Sequence, residues 1–311
     1  MTGTGGTPAI LAPVDGSRFS EAALPLVATV ARALNADIHL ARVHEVVVAA
    51  PMSELSIAPA MDPRIDADLR KTHSQELART AAVVRTASGR PVHATLLDGP
   101  VSVALREHAD AVGASLVVMA THGRGGVRRT LFGSVATDLV CSGGHPVLLI
   151  RPHDGTPPPA PVRLERVLIP LDGSTLSEAA IAPALWLLGN RGTVTLLRVV
   201  SPVTVDMAPT IVPLAVGDPH LLDAEVSEAH AAVERIASML RARGLTVHVV
   251  VVAHPSPSTA ITDALNADPP DFVSMATHGR GGVARMLMGS VADTVLRHVN
   301  VPVLLLRPRL S

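Results

Sequence analysis

A long internal repeat constrains the fold of this chain more than any other feature. The segment Met119–Val127 recurs letter for letter as Met275–Val283, and Pro146–Pro152 recurs as Pro302–Pro308 with one Ile replaced by Leu. Both pairs have the same separation along the chain, so few residues were inserted between them. A repeat of this length is far longer than a solenoid unit, and it predicts two complete domains in tandem.

The repeat divides the chain into three parts. The first domain covers residues 1–152, a linker covers 153–162, and the second domain covers 163–311. The linker contains the proline-rich run Asp154–Pro159 and has no apolar periodicity. Such a composition predicts a stiff, extended spacer.

Each copy alternates short runs of Val, Ile and Leu with longer helical patterns. Near-continuous apolar runs are typical of parallel strands that are covered on both faces. The order predicts the α/β class, as two tandem doubly wound domains, each a five-stranded parallel sheet with helices on both faces. In the first copy the predicted strands are Ala9–Val14, Asp37–Val43, Val92–Leu97, Leu116–Ala120 and Val147–Ile150, and the predicted helices are Ser20–Leu34, Pro63–Ser88, Val101–Val112 and Thr130–Ser142.

Local signals mark the ends of the long second helix in both copies. Asp62 and Asp218 each precede a proline and are suited to cap the first turn. Gly89 and Gly244 stand where a left-handed residue ends a helix. The apolar but proline-containing stretches 46–61 and 203–217 are predicted to be long loops.

Composition narrows the classes of partner. The formal net charge is −1, there is no Tyr, and Phe and Trp number three and one. Neither a basic nucleic-acid footprint nor a base-stacking platform is indicated, and no apolar run is long enough to span a membrane. Cys141, the single cysteine, is expected in the core. No signal peptide is readable, so a cytoplasmic protein is expected by default.

Two features of each copy fall at the carboxyl ends of strands, where open α/β sheets bind ligands. The first is an acid after strand one, Asp15 or Asp172. The second is a glycine-rich segment after strand four that ends in a Gly-Ser pair, Gly133-Ser134 in the first copy. Glycine allows the backbone to approach a ligand, and amides at a helix start favour an anion.

Other interpretations of these features stay open at this point. A glycine-rich loop can be a tight strand-to-helix turn without a ligand. Asp15 can cap the first helix, with or without ligand contact. Arg124 can reach a phosphate or remain a solvated loop charge.

The spacing resembles the universal stress protein family, whose ATP-binding members carry Gly-x2-Gly-x9-Gly-Ser/Thr after the fourth strand and an Asp after the first. The resemblance covers nearly the whole chain and implies an adenine nucleotide α-hydrolase-like, Rossmann-like fold. It implies adenine contacts near the first two strands and ribose and phosphate contacts at the glycine segment. By position these residues are Pro13, Asp15, Val43, Met119, Ala120, Gly123, Arg124, Gly133, Ser134 and Val135, and in the second copy Pro170, Asp172, Val199, Met275, Ala276, Gly279, Arg280, Gly289, Ser290 and Val291.

The chain departs from the family pattern at one position of the motif. The first glycine is replaced by Ala120, and by Ala276 in the second copy. A methyl group is tolerated there where φ is negative and the ligand passes elsewhere. The change affects both copies in the same way.

The resemblance implies ATP as ligand in a nucleotide-dependent stress-response regulator, and Mg²⁺ is expected to accompany the triphosphate. No Gly-x4-Gly-Lys loop or Gly-x-Ser-x-Gly elbow is present, so we expect no catalysis or only very slow ATP hydrolysis. The last strand of each copy, Pro146–Arg151 or Pro302–Arg307, is called the closing strand. The closing strands are expected to pair the two domains within the chain and to form a homodimer. The alternatives are a nucleotide-free interaction protein of the same fold and an adenine-nucleotide-hydrolysing enzyme, without nucleic-acid or membrane partners.

Overall fold

The repeat in the sequence is also a repeat of structure. The computed structural model describes residues 7–45, 63–121, 133–142, 144–152, 163–189, 191–201, 219–277 and 289–307. The chain divides into two units, Met1–Val162 and Arg163–Ser311. Each unit is a parallel sheet with helices, so the predicted fold class is confirmed.

The first unit contains five strands and five helices among its described residues. The strands are β1 Ala9–Pro13, β2 Asp37–His44, β3 Val92–Asp98, β4 Ala114–Ala120 and β5 Val147–Ile150. The helices are α1 Arg18–Glu21, α2 Leu24–Leu34, α3 Pro63–Ser88, α4 Val101–Ala111 and α5 Ser134–Ser142. The strands are parallel and lie in the order β3-β2-β1-β4-β5.

The second unit repeats this arrangement in its described residues. Its strands are β6 Arg166–Leu171, β7 Thr193–Val200, β8 Thr246–Ala253, β9 Phe272–Ala276 and β10 Val303–Leu306. Its helices are α6 Thr175–Glu178, α7 Ile181–Leu188, α8 Pro219–Arg241, α9 Pro257–Ala267 and α10 Ser290–His298. The strand order within the unit is β8-β7-β6-β9-β10, again parallel.

The central strands are apolar because helices cover both faces of each sheet. All five residues of β1 and all four of β5 are buried. In the first unit α2 packs beside α3, and α4 packs beside α5. Right-handed crossovers place these two pairs on opposite faces, since the chain runs outward from β1 in one direction and returns from β3 in the other.

The predicted first helix is interrupted in both units. Its N-terminal part becomes the short α1, and α2 starts only at Leu24. Pro25 lies in the first turn of α2, where its missing N–H costs nothing, whereas it could not continue a helix that began earlier. The second unit breaks in the same way between α6 and α7, ahead of Pro183.

Several local predictions can be compared with the structure. Gly89 and Gly244 have φ of +64° and +88°, which confirms their left-handed conformation. Cys141 is buried, as predicted. The capping residues Asp62 and Asp218 and the loops 46–61 and 203–217 lie outside the described residues. None of the described helices is long and apolar enough to cross a membrane.

Candidate functional site

The register of the sheet brings predicted residues of the first unit to one edge. β1 lies between β2 and β4, and following its pairing along the strands places Pro13 level with Met119. Asp15, two residues farther on, comes level with Val43 at the end of β2. Ala120 ends β4 beside them. The strand order reverses between β1 and β4, and this is where open α/β sheets form their ligand crevice.

The second unit has the same convergence. Pro170 lies level with Met275 of β9, and Asp172 lies level with Val199 of β7. Ala276 ends β9. The two edges therefore match position by position, as the repeat predicts.

Each acid after the first strand holds a tight turn. Asp15 Oδ1 accepts the N–H of Ser17 at 2.8 Å. Ser17 is the N-cap of α1, and its Oγ accepts the N–H of Ser20 at 3.2 Å. Ser20 Oγ in turn accepts the N–H of Asp15 at 3.2 Å. The interpretation of Asp15 as the helix cap is therefore wrong, because Ser17 performs that role and Asp15 fixes the turn before it.

The second unit builds the same turn with one additional contact. Asp172 Oδ1 accepts both the N–H of Ser174, at 2.9 Å, and its hydroxyl, at 2.5 Å. Ser177 Oγ accepts the N–H of Asp172 at 3.2 Å. One carboxylate oxygen of Asp15, and one of Asp172, thus accepts hydrogen bonds from the turn in which the acid lies.

The Gly of each Gly-Ser pair has a structural reason of its own. The N–H of Gly133 donates to the carbonyl of Thr121, and that of Gly289 donates to Thr277, both at 2.8 Å. A Cβ atom would stand 3.0 Å from the Thr121 oxygen and 2.5 Å from the Thr277 oxygen. The expectation that these two amides face a ligand is therefore wrong, since they anchor the helix start to the preceding strand.

The next amides belong to the first turns of α5 and α10. Gly133 and Gly289 accept the first helical bonds, so Ser134, Val135, Ser290 and Val291 begin the two helices. N–H groups in a first turn have no partner in the helix ladder. No side chain caps the N-terminus of α10. Both serines are exposed, so these helix starts offer donors to an anion, and the helix dipole favours negative charge there.

The alanines that replace the first motif glycine are compatible with the backbone. Among the described residues other than glycine, Asn35 alone has a positive φ. Ala120 and Ala276 therefore have negative φ and carry their methyl groups without strain. Gly123, Arg124, Gly279 and Arg280 lie outside the described residues.

A buried arginine lies beneath the turn of the first unit. The side chain of Arg42 is 3% exposed, and its guanidinium donates to Glu76 of α3 at 2.7 Å. It packs against the backbone of Gly16, where a Cβ atom would stand 2.9 Å from Nη1. A cavity of about 250 Å³ lies beside this pair, lined by Val14, Arg42 and Glu76 among others.

The corresponding cleft of the second unit is larger. It has a volume of about 1590 Å³ and is lined by Asp172, Arg198 and Val199 together with residues of α8. Arg198 donates to the carbonyl of Leu171 at 3.3 Å. Ala232 stands at the position of Glu76 and also lines the cleft.

Sequence reasoning missed the serines and the arginine of this edge. The pattern Asp-Gly-Ser-x-x-Ser is present in both copies, at residues 15–20 and 172–177, and could have revealed the turn. No sequence pattern marks Arg42. An arginine in an apolar strand is ordinarily predicted to lie at the solvent-exposed edge of a sheet, and its burial is explained only by its partner on α3. In the described part of the chain, His, Cys, Asp and Glu form no group of three or more arranged to hold a metal ion.

The fold and the repeated edge define a tandem α/β protein in which each unit is a parallel, doubly wound sheet covered by helices. The universal stress protein family matches this sequence twice, over residues 7–151 and 163–307. The chain therefore belongs to the universal stress protein family.

Relatives in both sequence and structure agree with this assignment. The universal stress protein Rv2005c of Mycobacterium tuberculosis is 36% identical over 200 residues, which are 62% of this chain and 62% of that protein. The universal stress protein Rv1996 of the same organism is 28% identical over 313 residues, 96% of this chain and 94% of the relative. The match thus spans less than two thirds of the length of Rv2005c.

Solved structures show the same fold at lower identity. A universal stress protein from Archaeoglobus fulgidus superimposes with a TM-score of 0.67 at 19% identity, covering 96% of this chain and 98% of that one. A protein from Pseudomonas aeruginosa described as a putative universal stress protein gives a TM-score of 0.60 at 14% identity, covering 97% and 94%.

Proposed function

We propose that the chain binds an adenine nucleotide, ATP, at the carboxyl edge of each sheet and does so without catalysis or with very slow hydrolysis. One observation carries the proposal. In both units an exposed helix N-terminus begins immediately after a glycine anchored to the end of the neighbouring strand, at the point where the strand order reverses. That is the place and the chemistry suited to phosphate.

Each part of the edge has a role in this proposal. The ends of the first two strands, with Pro13 and Val43, would hold the base, as the family resemblance implies. The first-turn amides after Gly133 and Gly289 would hold phosphate. Mg²⁺ would enter with the triphosphate.

The turn chemistry argues against fast hydrolysis. Asp15 and Asp172 each use a carboxylate oxygen to hold their own turn, which makes them poor general bases for an attacking water. Nucleotide would act instead by favouring one conformation or assembly of a stress-response protein, through its different affinity for the two states. Pairing of the two domains and homodimerisation through the closing strands stay predictions, and light scattering with and without ATP tests the homodimerisation.

The direct test is to denature the purified chain and identify any released adenine nucleotide by chromatography, followed by calorimetric titration of nucleotide-free protein with ATP. We expect up to two sites per chain and no steady phosphate release. Absence of both bound nucleotide and calorimetric binding would overturn the proposal. Turnover that is lost on changing Asp15 or Asp172 to Asn would indicate an enzyme instead.

A negative charge introduced at the first residue of α5 or α10 should distinguish an effect on ATP binding from an effect on protein stability. An acidic residue at the first position of a helix stabilises it by about 0.3–1 kcal/mol, whereas it repels phosphate. Ser134→Asp and Ser290→Asp should therefore each weaken ATP binding in their own unit by about 10-fold, equivalent to about 1.4 kcal/mol, without lowering the unfolding temperature. Calorimetry and thermal unfolding measure the two effects.

Ser134→Ala and Ser290→Ala are the matched controls. They keep the backbone amides and remove one hydroxyl donor without adding a charge, so ATP affinity should fall less than in the Asp variants. If the two Asp variants bind ATP as tightly as the unmodified chain, phosphate does not lie at these helix starts.

A second function is favoured by one specific observation. Gly133 and Gly289 are needed for the close approach of helix and strand, so this part of the motif persists for structural reasons even in a protein that has lost its nucleotide. An interaction protein without nucleotide is therefore the alternative, and the calorimetric experiment distinguishes the two.

A further inference from the structure

Two imidazoles from different elements meet at the end of β2 in the first unit. His44 is the last residue of the strand and His73 lies on α3. Their Nδ1 atoms are 3.1 Å apart, and their ring planes are inclined by 66°. His44 Nε2 lies 2.8 Å from Asp66 Oδ1. We propose that His44 and His73 chelate a divalent transition-metal ion through their Nδ1 atoms. Asp66 would orient His44 by accepting the hydrogen bond of its Nε2–H.

The distance between the two nitrogens fits a chelate. With zinc–nitrogen bonds of about 2.0–2.1 Å, a separation of 3.1 Å corresponds to an angle of about 100° at the metal. This lies between the octahedral and tetrahedral values. Without metal, the same separation is a hydrogen bond in which one imidazole donates and the other accepts.

The proton balance of the exchange is simple. Asp66 accepts the Nε2–H of His44, which leaves the His44 Nδ1 lone pair free to accept the Nδ1–H of His73. Metal binding requires His73 to move its proton from Nδ1 to Nε2, and the rings to turn out of the hydrogen-bonded arrangement so that both Nδ1 lone pairs converge on the ion. No group is oxidised or reduced, and no covalent bond to carbon changes.

The carboxylate has the position of an outer-shell partner. Histidine ligands usually donate their second N–H to a carboxylate, which fixes the tautomer and the ring orientation. The side chain of His44 is 1% exposed, and that of Asp66 is 29% exposed. His73 is half-buried, so an ion would reach the pair from the side of His73.

The surrounding charges permit a cation. The nearby guanidiniums of Arg42 and Arg70 are paired with Glu76 and Asp98. Asp66 adds negative charge next to His44. Two imidazoles select Zn²⁺, Co²⁺, Ni²⁺ or Cu²⁺, whereas Mg²⁺ and Ca²⁺ prefer oxygen ligands. The site is therefore distinct from any Mg²⁺ that accompanies a nucleotide.

The second unit lacks all three residues. Val200, Leu222 and Ala229 stand at the positions of His44, Asp66 and His73. The chain should therefore bind one ion, in its first unit. The second unit supplies natural replacements for the test.

The test uses the full chain, free of affinity tag and nucleotide and stripped with a chelator. Calorimetric titration with Zn²⁺ should show one ion per chain, and titration with Co²⁺ should produce visible absorption from nitrogen coordination. His73→Ala and His44→Val should each weaken binding at least 10-fold. Asp66→Asn should weaken it about 10- to 100-fold, as expected for an outer-shell carboxylate. His230→Ala, an exposed histidine on α8, is the control and should leave binding unchanged.

Two results would overturn the proposal. One is the absence of Zn²⁺ and Co²⁺ binding to the unmodified chain, which would leave the pair as a hydrogen bond only. The other is unchanged stoichiometry and affinity in His73→Ala and His44→Val, each shown to be folded by circular dichroism. Because no nucleotide is present, the result is independent of ATP binding.

Discussion

At the scale of single residues, the two anchoring glycines differ in how much room they have. A Cβ atom on Gly289 would stand 2.5 Å from the carbonyl oxygen of Thr277, whereas on Gly133 it would stand 3.0 Å from that of Thr121. The obstructing atoms belong to the backbone and cannot swing aside. The helix start of the second unit is therefore the more tightly packed.

Gly289→Ala should consequently destabilise the second unit by about 1–3 kcal/mol, the usual cost of overpacking. Trp186, the only tryptophan, lies on α7 of that unit, so its fluorescence during urea unfolding measures the loss. Gly133→Ala should lower the unfolding free energy of the first unit by less, as measured by circular dichroism. Equal stability of Gly289→Ala and the unmodified chain would show that the helix start can shift freely.

At the scale of elements, an ion pair ties α3 to β2 in the first unit. Arg42 is almost fully buried, and Glu76 holds its guanidinium from α3. Glu76→Ala would leave a buried cation without this partner. Since Glu76 is itself 49% exposed, water can replace part of the lost contact, and the expected loss is about 1–2 kcal/mol.

Urea unfolding checks this prediction with two probes. Circular dichroism reports both units, and Trp186 fluorescence reports the second. Glu76→Ala should lower the transition seen by circular dichroism and leave the fluorescence transition in place. Glu76→Gln, which keeps a hydrogen-bond acceptor, should lose less.

At the level of the whole molecule, we expect a histidine cluster in the first unit to make the stabilities of the two units depend differently on pH. His39 stacks on His93 at a centroid distance of 4.9 Å, and His108 approaches it edge-on at 6.1 Å. Burial lowers the pKa of His39, and the neighbouring His93 and His108 lower it further. Burial also lowers the pKa of His108. The second unit has Thr195 and Ala264 at the positions of His39 and His108.

Because the pKa values of His39 and His108 are lowered in the folded state, acid should destabilise the first unit. Below about pH 6.5, the ordinary pKa of histidine, the unfolded chain takes up protons that the folded first unit resists. Its unfolding free energy therefore falls as the pH falls, until the folded histidines also titrate. Between pH 7.5 and 5.5 the circular dichroism transition should move to lower urea concentration, and the Trp186 transition should move less.

His39→Thr, which copies the residue of the second unit, is the control for the pH dependence. It should flatten the dependence of the first unit on pH. A dependence as steep as that of the unmodified chain would assign the acid sensitivity to other groups.

The repeat, the fold class and the doubly wound topology could be predicted from the sequence. Apolar runs such as 147–150 can be buried only in a sheet covered on both faces, and their alternation with helices leaves a parallel, doubly wound topology. The acids at 15 and 172 and the Gly-Ser pairs were also identified as parts of one edge, because strand ends in a parallel sheet share a side.

The sequence could not show which atoms of that edge already have hydrogen-bond partners, because those partners depend on how the elements pack. The amides of Gly133 and Gly289 bond to the ends of β4 and β9, and Asp15 fixes a turn that Ser17 caps. These partners are set by the angle at which each helix leaves its strand, and no local pattern encodes that angle. The pairing of His44 with His73 likewise needed the packing of α3 on β2, since residues 29 positions apart carry no mutual signal in a single sequence.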